Sequence, residues 1–181
     1  MGSDFFSSLL DTADQAQGGG IGGLRLAEVS SITDEGYILT WLSGTVRSPS
    51  APARAMQFMA GKERGAYFPF EIGDEVVVGF VDGALDYPII LGALHSDIDK
   101  PPEGFDATST NNTRGLVSRA KSKLVFDDTQ GATSIMLKSA GGMELVLDDK
   151  GKKLVIKFDK STSIELSAQG VTVKGAKINL N

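Results

Sequence analysis

From residue 118 onward, apolar residues come in short alternating sets: Leu124/Phe126, Ile135/Leu137, Met143/Leu145/Leu147, Leu154/Ile156/Phe158, Ile164/Leu166, Val171/Val173 and Ile178/Leu180. Turn-forming residues separate them, at Asp127-Asp128, Gly141-Gly142, Asp148 to Gly151, Gly170 and Gly175. A period of two marks strands with one buried face. The sets recur about every ten residues and shorten to about seven near the end, a degenerate repeat of the kind that builds β-helices and solenoids. Each set offers one strand and one narrow stripe. A single chain cannot close a core from such stripes unless it coils on itself. Three chains winding together, each lending one strand per face, would bring the stripes to a common axis and pair nearly every strand edge. In that register Leu145, Leu147, Leu154, Ile156, Ile164, Leu166, Val171 and Val173 form the trimer core, while Glu144, Lys157 and Glu165 point outward.

The region before it is β-rich in a different way. LRLAEVSSIT (24–33), the turn DEG (34–36) and YILTWLSGTV (37–46) read as two strands. Residues 47–66 are less regular. Then "GDEVVVGFVDGALDYPIILGAL", from Gly73, holds two runs, 75–81 and 87–94, that are apolar on both faces. Roughly five strands with no intervening helix fit a small antiparallel barrel, of which the OB-fold is the common example. One face of each apolar run would fill the barrel and the other would pack against a neighbouring barrel. DIDKPPEGFDATSTNNTR breaks the pattern and reads as a linker. The expected organisation is 1–23 helix and glycine-rich joint, 24–96 barrel, 97–117 linker and 118–181 needle. The fold class is all-β with a short N-terminal helix.

That helix, over 1–17, carries Phe5, Phe6, Leu9 and Leu10 on one stripe. The stripe is too narrow to fold alone at this length, so it is expected to dock on a separate protein, with GGGIGG (18–23) as the joint. It has no basic residue and no long apolar core, so it does not read as a secretory signal. At the other end Lys177, Ile178, Asn179, Leu180 and Asn181 would form a blunt triangular end, the expected seat of a separate tip cap.

Several functions fit poorly. The net charge of −5 opposes binding to nucleic acid. No cysteine is present and the one histidine is His95, so a Cys/His zinc site cannot form within one chain; absent cysteines also fit synthesis in the cytoplasm. No run is long and apolar enough for a transmembrane helix. The aspartates at 82, 86, 97, 127, 128, 148 and 149 could pair as acid and base or hold calcium, but beside glycine they read as turn residues. His95 reads as a packing residue with one hydrogen bond. Lys152, Lys153, Lys157 and Lys160 read as a solvated face. No enzyme activity and no cofactor is expected.

"AGKERGAYFPFEIGDEVVVGFVDGALDYPIILGALHSDIDKPP" (60–102) resembles the OB-domain signature of VgrG proteins of type VI secretion and of the baseplate spikes of contractile phage tails. It departs from the pattern at Glu63-Arg64, where relatives often carry glycine and an aromatic. "KSKLVFDDTQGATSIMLKSAGG" (121–142) resembles the family's entry into a triple-stranded β-helix. The resemblance implies a homotrimeric spike, with an OB collar and a β-helix needle, built into a phage tail or injection particle. Its implied partners are a hub or baseplate protein, a PAAR-type tip protein and, transiently, the target membrane during puncture. Relatives carry a large hub domain before the barrel, so the hub is expected on another chain. The competing reading is a stand-alone OB-fold module for oligosaccharide or single-stranded nucleic acid. It wants a basic groove and leaves the β-rich tail unexplained.

Overall fold

The computed structural model describes residues 23–43, 47–105 and 110–179. The helix expected over 1–17 lies outside them. The chain divides into two compact units, Met1–Lys100 and Pro101–Asn181. Among the described residues nearly all regular structure is strand; the one helical turn is a 3-10 turn at Val81–Gly83.

In the first unit, strands β1 (Arg25–Thr33), β2 (Gly36–Trp41), β3 (Arg54–Ala55), β6 (Glu75–Phe80) and β7 (Pro88–Ala93) form one sheet in the order β2-β1-β6-β7-β3. A small hairpin, β4 (Ala60–Gly61) and β5 (Arg64–Gly65), projects from the chain between β3 and β6. The outermost strands of the sheet meet: Tyr37 and Ala53 exchange both backbone hydrogen bonds, at 3.0 and 2.8 Å. This join curls the sheet into a barrel. Gly36 permits it, since a Cβ there would lie 2.5 Å from the Ala53 carbonyl oxygen, and its φ of 144° suits glycine.

Alternation fills the interior. Ala27, Val29, Leu39, Trp41, Ala53, Val76, Val78 and Ile90 are buried, and Tyr37, Phe70 and Phe80 pack against them. Trp41 and Phe80 sit with ring centroids 5.6 Å apart. The second face of the two apolar runs is half-buried, at Val77, Ile89 and Leu91. Part of its cover is local. Gly79 leaves a gap beneath the side chains of Leu91 and Leu24, whose nearest atoms stand 3.3 and 3.8 Å from where its Cβ would be.

The second unit is a seven-stranded antiparallel meander in sequence order: β8 (Thr113–Val117), β9 (Lys123–Asp127), β10 (Ser134–Lys138), β11 (Glu144–Asp148), β12 (Lys153–Lys157), β13 (Ser163–Ser167) and β14 (Gly170–Lys174). Three expectations need correction here. Residues 113–117, placed in a linker, form β8; TRGLV has too little alternation to announce a strand. Gly115 is essential to it, because a Cβ there would fall 2.1 Å from the Leu124 carbonyl oxygen and against Phe105. Ile178, expected in a last strand, follows β14 in irregular chain, and Leu180 lies outside the described residues. Strand pairing also differs from three-chain winding. Every interior strand of the sheet takes both neighbours from its own chain. The links run from two residues (168–169) to six (128–133), lengths that favour hairpins between successive strands.

Candidate assembly surface

The registers of β8 to β14 put every apolar set on one face. One column runs Phe126, Ile135, Leu147, Leu154, Leu166, Val171; the other runs Leu116, Leu124, Leu137, Leu145, Ile156, Ile164, Val173. Arg114 heads the first column, opposite Phe126, and pairs with Asp128. All eight residues expected in the trimer core, Leu145, Leu147, Leu154, Ile156, Ile164, Leu166, Val171 and Val173, therefore share this wall. Six strand spacings make it about 29 Å tall. With two columns of exposed side chains it presents at least several hundred Å² of hydrocarbon, as large as the biggest patch a monomer ordinarily exposes.

Within the described part of this unit the wall stays largely open; only at its lower edge do Phe158, Lys177 and Ile178 line a hollow together with Ile156, Ile164 and Val173. Leu137 is 53 % exposed, Ile156 44 % and Val171 67 %. All the buried side chains of the described chain lie between Ala27 and Ile90, in the first unit.

The opposite face has a central column of Val125, Met136, Val146, Val155, Glu165 and Thr172, flanked by polar residues. Glu144 sits there between two cations. Lys138 Nζ donates to its Oε1 at 2.7 Å and Lys157 Nζ lies 3.6 Å from its Oε2. The hydrogen bond from Lys138 holds the Glu144 carboxyl below its ordinary range, aided by the charge of Lys157 and opposed by desolvation. Glu144, Lys157 and Glu165 share this face, away from the wall.

The turn carboxylates are occupied with backbone. Asp127 accepts from the Thr129 N–H at 2.9 Å and Asp148 from the Gly151 N–H at 2.8 Å. Asp159 accepts from the N–H groups of Ser161 and Thr162, both at 2.7 Å. Bonds from Thr129, hydroxyl first, lower the carboxyl pKa of Asp127, and bonds from Ser161, N–H first, lower that of Asp159. These are Asx turns, which close the links between strands. His95 is exposed rather than packed, with Nδ1 3.3 Å from the Asp99 carbonyl oxygen. Lys177, Ile178 and Asn179 are exposed, while Leu180, Asn181 and the hub-directed Phe5, Phe6, Leu9 and Leu10 lie outside the described residues.

One surface was not foreseen. Residues 56–68, most of them within the stretch 47–66 read as less regular, form an ordered arm around the β4–β5 hairpin. Gln57 clamps its base, accepting from the Phe68 N–H at 3.1 Å and donating to the Phe68 carbonyl at 3.4 Å. The Phe58 and Phe68 rings stand 6.0 Å apart. At its tip Glu63 takes a left-handed φ of 56°, a conformation that favours glycine. The signal in the sequence was the density of Met56, Phe58, Met59, Tyr67 and Phe68 in a stretch without alternation.

Among the described residues no helix is long and apolar enough to cross a membrane. Residues 38–95, from β2 to just past β7, match the family model described as the type VI secretion system/phage-baseplate injector OB domain. The match gives the barrel its fold name and the chain a baseplate- or spike-related role, incorporated with other components into a phage tail or injection particle. Through this domain, about a third of its length, the chain is similar to VgrG- and baseplate-spike-like proteins.

Proposed function

We propose that the chain is the homotrimeric central spike of a contractile injection system or phage tail. Three copies of the second unit bring their apolar walls together as the faces of a triangular prism, which serves as the needle. The observation that carries this reading is the wall itself: thirteen aligned apolar side chains on a unit without a buried side chain among its described residues. Burial of apolar surface is worth about 25 cal/mol per Å². Several hundred Å² per chain would contribute on the order of 10 kcal/mol, enough to decide whether the sheet is stable. Pairing within each chain means that the prism needs no interlocked strands.

In this reading the work is mechanical and the chain carries out no bond chemistry of its own. The barrel forms the collar, the N-terminal stripe of Phe5, Phe6, Leu9 and Leu10 joins the hub, and Lys177 to Asn181 seat a PAAR-type cap. The target membrane is met only during puncture. The test is the mass of the purified full chain in native buffer. Three chains of 19.1 kDa give about 57 kDa. A monodisperse monomer at micromolar concentration overturns the proposal.

A further inference from the structure

The first unit carries two exposed features of opposite character. The arm presents Met56, Phe58, Met59, Tyr67 and Phe68, with Phe58 83 % and Tyr67 79 % exposed. Its tip bears Lys62 and Arg64 beside the single carboxylate of Glu63. The other feature is a groove of about 410 Å³ at the start of β7. Its lining includes Val81, Tyr87 and Pro52 as apolar floor, and Glu35 and Asp86 against the one cation Arg54. Lys62, Arg64, Glu35 and Asp86 make no ion pair among the described residues.

The arm is already ordered, by the Gln57 clamp and the Phe58–Phe68 contact, so docking would cost little further entropy. It leaves the chain after β3, past the pairing of Ala55 with Ile90, whereas the groove lies at Arg54, Pro88 and Ile89, at the beginning of the same parallel pair. Two different patches that complement each other make a head-to-tail contact, which closes into a ring when the rotation between copies closes, as the three-fold reading requires.

We propose that the arm of each protomer docks in the β7 groove of the next copy of this chain, with Lys62 and Arg64 facing Glu35 and Asp86. Met and aromatic side chains on the arm cover Val81 and Tyr87, and the charges set the direction of the ring. The inference rests on the trimeric reading, and adds that the barrels hold one another by a directional contact separate from the needle.

The absence of cysteine makes a clean test possible. The full chain carrying both Arg64→Cys and Asp86→Cys is treated with a short bifunctional maleimide. A directional ring yields a covalent species of three chains, while each single variant stays uncross-linked. Adding Lys62→Glu to the doubly substituted chain should lower the cross-linked fraction about tenfold, and adding Glu35→Lys to that chain should restore it. Light scattering on each sample separates the two claims. Trimers that do not cross-link, or whose cysteines join within one chain, overturn the arm contact and leave the spike standing. Covalent dimers from Arg64→Cys alone show arms meeting arms and also overturn it. Monomers overturn both.

Discussion

The two units use β-strands with opposite economies. In the barrel, alternation points one set of side chains into a closed interior, and the sheet supplies its own second wall by joining β2 to β3 through Tyr37 and Ala53. In the meander, alternation is as regular, but the sheet does not close and the apolar set faces outward. The difference teaches that strand pattern alone does not make a core. A core needs either closure or a partner, and 110–179 shows only the need.

The largest effect should come from placing a charge in each interior. Val78→Asp buries a carboxylate in the barrel and Ile156→Asp places one on the wall. An unpaired buried charge costs several kcal/mol. Val78→Asp should unfold the first unit at every concentration. Ile156→Asp should convert trimers to monomers by light scattering while the barrel keeps its Trp41 fluorescence. Glu144→Lys, on the opposite face, should leave assembly intact. Equal assembly of Ile156→Asp and Glu144→Lys would put the wall on the outside.

A milder pair sharpens the same contrast. Ile90→Ala removes a fully buried side chain and should cost about 2–5 kcal/mol, independent of protein concentration. Ile164→Ala removes one that is 38 % exposed in the single chain. If its wall is covered in a trimer, the loss should also approach 2 kcal/mol per chain, and its unfolding midpoint should rise with protein concentration. A loss below about 0.5 kcal/mol without concentration dependence would mean an uncovered wall.

The smallest effect concerns acid. Glu144 has a depressed carboxyl pKa in the folded chain, so its stabilisation is present above the ordinary value of 4.5 and is lost as pH falls through the lower folded value. Glu144→Gln should therefore be less stable than the parent near neutral pH, by less than about 1 kcal/mol since the site is partly solvated. The two should converge as pH falls from 4.5 through the lower folded value, in denaturant titrations. A difference that persists at pH 2 would point to packing rather than charge.

Much of this was legible because period-two alternation is local. The pairs Leu145/Leu147 and Leu154/Ile156 announced both the strands and the face they share, and a one-residue slip would have moved every member to the other side. The strand β8 was not legible, since TRGLV offers only Leu116 to the wall and depends on Gly115 lying against Leu124. Nor was the arm at 56–68, whose base is clamped by an amide, Gln57, reaching across eleven residues to Phe68.

By itself the sequence determined that the chain is all-β, that it divides near the Pro101-Pro102 break, and which side chains face together in each strand. Those properties follow from steric alternation and turn chemistry within a few residues. Only the tertiary structure decided the rest: that β2 and β3 meet to close the barrel, that β8 to β14 pair within one chain, and that the wall stays largely open among the described residues of its own unit. Closure and pairing depend on which distant backbone groups come within about 3 Å of each other, and no local pattern of side chains encodes that distance.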